Sequence, residues 1–224
     1  VQPYENVEVV TKLSRELGYN STSFDLVYGL PFQTIGSIEG TIELVKKLMP
    51  ERIAFYSYAH VPWMKGNGQR GFDDNDLPTP EGKRAMYEAG YRLLLEAGYK
   101  EVGMDHFALE TDEMYISYNA KTLHRNFMGY TASKTQLMVG LGVSSISDSW
   151  YAFAQNVKTV EEYYEEIEKN EIPIFKGHLL TEEDLIIRKH ILNIMCHFET
   201  DWNEEALQHK LVFEAEDRLQ EMIQ

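Results

Sequence analysis

Cysteine is almost missing: the 224-residue chain has one, Cys196. A lone thiol closes no disulfide within the chain and builds no thiolate metal cage. Long apolar runs are missing too. Nothing approaches the roughly 18 residues that a bilayer-spanning helix needs, and no signal-peptide pattern opens the chain. Positive charge is scarce, with 21 Lys and Arg against 36 Asp and Glu and a formal net charge of −15. Such a surface repels phosphate backbones and anionic lipid, which sets nucleic acid and membranes aside as partners. No G-x-S-x-G elbow and no H-E-x-x-H pair occurs, so neither a hydrolase nucleophile nor a zinc protease is signalled. The expectation is a soluble globular protein of a reducing, cytoplasmic compartment.

Apolar residues make up 43% and aromatics 12% of the chain, ample for a hydrophobic core. Val7, Val10, Leu13 and Leu17 fall at helical spacing, and Gly18 suits the left-handed position that ends a helix. Ser23 to Tyr28 reads as a strand, then a helix capped near Ser37 runs to Pro50. Arg52 to Tyr58 reads as the next strand. Thr79 with Pro80 starts a third helix that ends at Gly98, and Lys100 to Met104 is a third strand. "RELGY" before the first strand returns as "LEAGY" before the third. Strands alternating with helices predict right-handed βαβ units, a parallel sheet, and a site at the strands' C-terminal ends.

From Thr159 the pattern changes to acidic helices, with a capping box at Thr159–Glu162, a second start at Thr181 and a third near Asn203. Residues 159–224 are expected to form a separate, strand-free helical domain after a first domain spanning 1–158. The chain opens at Val1 without an initiator Met and closes in a helical pattern at Gln224, so a fragment is expected.

Gly66-Asn67-Gly68-Gln69-Arg70-Gly71 has the spacing of a dinucleotide loop. The Phe72–Pro78 segment that follows carries three aspartates and cannot start the helix a phosphate cradle requires, so a loop is the better reading. Asp25 lies within a strand, where a carboxylate either ties down a neighbouring strand or faces a ligand. Asp105 and His106 stand where the third strand ends, a functional position unless Asp105 caps a turn. His124-Arg125-Asn126-Phe127-Met128-Gly129-Tyr130 combines a planar cationic fork with flat apolar surface. It suits an acidic ligand with an apolar body, unless Arg125 simply pairs with a surface carboxylate. Gly140 to Ile146 reads as a strand whose small residues allow close approach of a ligand or neighbour. Cys196-His197 lies on an apolar helical stretch and reads as buried structure rather than a metal site.

The segments "DLVYGLPFQT" (25–34), "YAHVP" (58–62), "GMDHFA" (103–108), "LHRNFMGYT" (123–131) and "GLGVSSIS" (140–147) together resemble the oxygen-independent coproporphyrinogen-III oxidase family of radical S-adenosylmethionine (SAM) enzymes. The resemblance implies an α/β fold, the second half of a partial (β/α)6 radical-SAM barrel with a C-terminal helical appendage. It implies oxidative decarboxylation of two propionates of coproporphyrinogen III, giving protoporphyrinogen IX in haem biosynthesis. It further implies SAM, a [4Fe–4S] cluster on a C-x-x-x-C-x-x-C motif, and an electron donor in the full-length enzyme. That motif is absent here, so the chain itself is expected to hold no metal and not to turn over. By resemblance the SAM contacts fall on Asp25, Ala59 and Ile146, with Phe127 and Met128 beside a second SAM position. The family more often has Gln where Met128 stands. His124, Arg125 and Asn126 match the family motif, and their charge suits substrate propionates. Radical chemistry needs positioning and water exclusion more than proton transfer, so no general acid or base is named. Two other readings remain: a haem- or porphyrin-binding relative without catalysis, and an inert scaffold.

Overall fold

The computed structural model describes residues 2–63, 69, 71–135 and 137–201. Contacts divide the chain into two compact units, Val1–Ile116 and Ser117–Gln224.

In the first unit, α1 (Tyr4–Glu16) ends where Gly18 takes φ +90°, and β1 (Ser23–Tyr28) follows. Next come α2 (Ile35–Leu48), β2 (Arg52–Ser57), α3 (Pro80–Glu96), β3 (Lys100–Gly103) and β4 (His106–Ala108). The cap of α2 is Thr34 rather than Ser37. The two residues cap each other reciprocally, so Ser37 occupies the third position of the box. Thr79 and Pro80 start α3 as expected. Arg15 donates to the carbonyls of Leu48 and Met49 at 2.9 and 2.7 Å, closing the C-terminus of α2.

β1 and β2 pair in parallel, as the alternating pattern predicts. The third strand departs from that pattern. The sheet order is β1-β2-β4-β3, with β4 antiparallel to both neighbours. A tight reversal at Met104 and Asp105, both at positive φ, folds the chain back so that His106 enters the sheet. Alternation then sorts the side chains by face. Phe24, Leu26, Tyr28, Ile53, Phe55 and Phe107 join Ile38, Ile42, Met86 and Leu94 in one core. Gly90 of α3 is required there, because a Cβ would lie 2.5 Å from the Phe55 ring.

The second unit is built from hairpins. α4 (Glu113–Asn119) leads into β5 (His124–Asn126) and β6 (Gly129–Thr131), which pair with each other. A separate antiparallel sheet holds β7 (Leu137–Met138), β8 (Ile146–Ser149), β9 (Ala152–Asn156) and β10 (Ile174–Leu179) in the order β10-β9-β8-β7. Among its described residues the unit also holds α5 (Val160–Glu168) and α6 (Glu182–His197), with Thr159 and Thr181 as their caps.

Two expectations are corrected here. The segment from residue 159 is not strand-free, since β10 pairs with β9 across its start, and the compact units divide at 116/117 rather than 158/159. Gly140 to Ser145 is a turn, not a strand. Asn156 Nδ2 donates to the carbonyls of Gly140 and Gly142 at 3.1 and 2.9 Å, which holds the backbone in a curl that no ladder could share. Gly142 adopts φ +96°, and a Cβ on Gly140 would lie 2.7 Å from the Ile146 carbonyl oxygen. The expected close approach is therefore to a neighbour in the chain. The glycine-rich loop before Gly71 and the helix expected near Asn203 lie largely outside the described residues.

Candidate functional site

In the first unit, the helices cover one face of the sheet. On the other face the register aligns Asp25 with Ala54, Ala54 with His106, and His106 with Gly103. Asp25 is exposed, so it neither ties strands together nor hides in the core. Beside this row stands Tyr56, paired with Val27. Its hydroxyl is 3.5 Å from His106 Nε2, and the two rings meet edge-on at 5.7 Å. His106 Nδ1 lies 2.7 Å from the Met104 carbonyl oxygen. A carbonyl only accepts, so the neutral ring carries its proton on Nδ1, and Nε2 is the acceptor that faces the Tyr56 hydroxyl. Arg52, on the same face, is tied down by Asp112 at 2.7 Å.

Ala59 follows the C-terminal end of β2 and is exposed; its carbonyl accepts from Gln69 Nε2 at 3.0 Å. Nearby, Lys83 Nζ donates to the Tyr58 carbonyl at 2.6 Å. That reach passes over Gly29, at φ +81°, where a Cβ would lie 2.8 Å from the lysine stem. On the helical side, a cleft of 530 Å³ is lined by Tyr28, Ser57, Lys83, Tyr87 and Asp105. Burial pushes the Asp105 carboxyl above its ordinary range, opposed by the charge of His106, and burial raises the Tyr87 hydroxyl to about 12. Among the described residues the Asp105 carboxylate caps nothing; its backbone carbonyl instead accepts from Phe55 N at 2.7 Å.

In the second unit the polar cluster sits on the β5–β6 hairpin. Arg125 pairs with Tyr130 across the strands and lies over its ring at 4.7 Å. Tyr130 is itself fixed by donating to the Met195 carbonyl at 2.8 Å. Arg125 Nη1 is buried without a hydrogen-bond partner among the described residues, so the surface-carboxylate reading fails for this nitrogen. Asn126 accepts from Met128 N at 2.8 Å, which shapes the turn, and Gly129 takes φ +116°. Phe127 and Met128 stand exposed at the tip, and Phe127 meets Phe153 edge-on at 5.6 Å.

Ile146 shares its sheet face with Asp148, Phe153 and Gln155 by register. Thus the structure brings Phe127 to the face that bears Ile146, through Phe153. His124 is different from its neighbours: it is buried, and burial, followed by Lys134 and Arg188, lowers its pKa. It lies beneath the hairpin surface while Arg125 and Asn126 are only half-buried. Asp25 and Ala59 belong to the first unit and the other candidates to the second.

Sequence reasoning missed Tyr56, Phe153 and Arg188. Arg188 donates to Asp148 at 2.8 Å and to the Ser149 carbonyl at 2.9 Å, and lies 5.0 Å over Phe153. These partners are far apart in sequence, and no local spacing signals them. Cys196 is buried in α6, and burial raises its thiol pKa. Among the described residues no three His, Cys, Asp or Glu are placed to hold a metal. One cysteine in the chain does not match a cluster that takes three or four thiolates.

No family model matches the chain. Over 96% of its length it is 36% identical to an oxygen-independent coproporphyrinogen III oxidase of Helicobacter pylori, of which it covers 47%. It is 38% identical over 89% of its length to the anaerobic coproporphyrinogen III oxidase 1 of Cereibacter sphaeroides, covering 44% of that protein. The Escherichia coli oxygen-independent enzyme is 37% identical over 90% of the chain, again with 44% covered. A solved structure of the coproporphyrinogen III oxidase from Escherichia coli, described as a radical SAM enzyme, superposes with a TM-score of 0.85 at 34% identity; 97% of this chain and 48% of that one are matched. The chain spans about half the length of the curated relatives it matches. Along nearly its whole length it is homologous to oxygen-independent coproporphyrinogen III oxidases, as the five segments implied.

Proposed function

We propose that this chain works as part of an oxygen-independent coproporphyrinogen III oxidase, a radical SAM oxidoreductase that converts two propionates of coproporphyrinogen III to vinyl groups with loss of carbon dioxide. The observation that carries this reading is homology across 96% of the chain to proteins of that name. Features of the site agree with it. Arg125 offers a buried, unpartnered donor fixed on a tyrosine ring, which suits a carboxylate such as a propionate. Asn126 flanks it, and His124 supports the hairpin from beneath.

For SAM, the exposed Asp25 carboxylate offers acceptors to hydroxyl and cationic groups, and Ala59 stands exposed beyond the end of β2. Ile146 adds apolar contact for SAM, and Phe127 and Met128 supply flat and apolar contact beside the second SAM position. SAM reduced by a [4Fe–4S] cluster supplies the radical that begins such oxidations. The cluster does not fit this chain's residues, and nothing here is routed through it. The residues of this chain hold and orient ligands and exclude water. An electron donor completes the proposed enzyme. Among the described residues no helix is long and apolar enough to cross a membrane.

The test uses the whole enzyme that contains this sequence. Losing a charge-assisted pair costs about 1.5–3 kcal/mol, roughly tenfold to a hundredfold in affinity. Arg125→Ala is expected to raise KM or lower turnover of coproporphyrinogen by that factor while SAM affinity stays near normal. Arg125→Lys is expected to recover only part, because an ammonium lacks the fork. Unchanged substrate kinetics with lost SAM binding would remove the substrate role.

A further inference from the structure

Where β2 ends, the backbone from Tyr58 to Val61 is pinned almost group by group. Tyr58 N donates to the Tyr28 carbonyl at 2.8 Å, which carries the β1–β2 pairing one step past the strand. The Tyr58 carbonyl accepts from Lys83 Nζ at 2.6 Å. Gln69 holds the next residues with a single side-chain amide, donating to the Ala59 carbonyl at 3.0 Å and accepting from Val61 N at 2.6 Å. Ala59 itself is exposed, and among the described residues its N–H has no partner. A donor left open in a stretch whose neighbouring groups are committed is a donor available to a ligand.

Lys83 stands on α3 and reaches this carbonyl past Gly29. Gly29 is buried at φ +81°, and a Cβ there would lie 2.8 Å from the lysine Cε and 3.1 Å from Cδ and Cγ. Glycine thus supplies the left-handed turn after β1 and the room for the lysine stem together. The peptide group is planar and trans, so the C=O and N–H of one unit point in opposite directions. By drawing the Tyr58 carbonyl toward itself, the ammonium aims the Ala59 N–H the other way. A cationic donor on the carbonyl also polarises the same peptide, which strengthens its N–H as a donor. We propose that Lys83 is a positioning residue for SAM, fixing the Tyr58–Ala59 peptide so that the Ala59 N–H meets an acceptor of the bound ligand. The ring nitrogens of adenine and the carboxylate of SAM are acceptors of that kind. This rests on the reading of Ala59 as a SAM contact and adds to it the residue that sets the contact.

The experiment uses the whole enzyme that contains this sequence, with SAM as the probe. Calorimetry reads SAM affinity, and NMR on protein labelled with ¹⁵N-alanine reads hydrogen exchange at the Ala59 amide. In the parent enzyme SAM is expected to slow that exchange. Lys83→Met keeps the stem without the donor. It is expected to weaken SAM about tenfold, the equivalent of one hydrogen bond, and to remove the slowing at Ala59. The KM for coproporphyrinogen, measured at saturating SAM, is expected to stay at the parent value. Lys83→Arg still carries a donor and is expected to restore part of both SAM affinity and Ala59 protection. If Lys83→Met keeps its SAM affinity and the slowed exchange at Ala59, the inference fails and the Ala59 reading stands. If SAM binds the parent enzyme without slowing exchange at Ala59, both fail. A Lys83→Met enzyme that loses affinity for SAM and coproporphyrinogen alike, with a lowered melting temperature, makes Lys83 a packing residue and overturns the inference too.

Discussion

Among the described residues, buried apolar side chains fall almost entirely before Ser117. Ile38, Ile42, Val45, Ile53, Phe55, Leu94, Tyr99, Val102 and Phe107 lie in the first unit, against Leu123, Tyr130 and Cys196 in the second. Buried polar side chains lean the other way, with His124, Asp148, Asn156 and His190 in the second unit against Thr11 and Asp112 in the first. The second unit is threaded by Arg188 with Asp148, Asn156 with the Gly140–Gly142 turn, and Tyr130 with the Met195 carbonyl. Apolar packing is non-directional and tolerates volume-conserving change, whereas a buried polar network depends on every member. The same contrast separates the two candidate sites. The Asp25–His106 row is set on strands backed by a packed core, while the Arg125 hairpin takes its position from hydrogen bonds and ring contacts.

The largest effect should come from the core of the first unit. Phe55→Ala removes a ring packed at 4.7 Å on Tyr28 and seated over Gly90, and should cost about 3–5 kcal/mol. Urea unfolding gives the total, and hydrogen exchange in β1 and β2 shows where protection is lost. A loss below about 1 kcal/mol would break the comparison at its stronger side. In the second unit, Arg188→Met leaves the buried Asp148 carboxylate unpaired and should cost about 3 kcal/mol. Adding Asp148→Leu should recover most of that loss, because removing both partners of a buried pair is far milder than removing one. A double variant as unstable as the single one would show that the pair acts through packing against Phe153 instead.

Legibility in the sequence follows the same division. The helices of the first unit announce themselves through local chemistry, with Thr79 and Pro80 opening α3 and Gly98 closing it at φ +97°. β4 does not, because three residues carry no period, and only the positive φ values of Met104 and Asp105 turn His106 into the sheet. In the second unit the hairpins depend on partners distant in sequence. Gly140–Ser145 is curled by Asn156, and Ile174–Leu179 is a strand because β9 is there to pair with it, although its residues are exposed. For the candidate sites, residue types pointed to Asp25 and Arg125. Their surroundings, Ala54 beside Asp25 and the Tyr130 ring beside Arg125, emerge only from cross-strand register.

A smaller effect is expected at that turn. Asn156→Leu deprives two carbonyls of their donor, and because Gly140 and Gly142 are only partly buried, water replaces some of the loss. The cost should be about 1–2 kcal/mol, read as reduced exchange protection in β8 and β9 with β1 and β2 unchanged. Equal loss in both units would mean that the two do not respond independently.

The smallest effect separates the units by the sign of their response to pH. In the second unit, burial holds the His124 pKa below its ordinary 6.5. At pH above 6.5 the imidazole is neutral in both the folded and the unfolded chain. As pH falls below 6.5 the unfolded chain takes up a proton that the folded chain refuses, so stability declines until the lowered folded value is passed. In the first unit, burial holds the Asp105 pKa above its ordinary 3.8. Here the folded chain keeps its proton to higher pH than the unfolded chain. The contribution is complete below 3.8 and is lost as pH rises through the raised value. The two groups therefore act in opposite directions. Exchange protection factors in β5 and β6 should fall between neutral pH and mild acid, and His124→Gln should flatten that fall without touching β1 and β2. Asp105→Asn should leave the fall in β5 and β6 in place and remove only the rise in the first unit on acidification. A fall in β5 and β6 that survives His124→Gln would assign the pH response to another group and leave burial of His124 without a thermodynamic consequence.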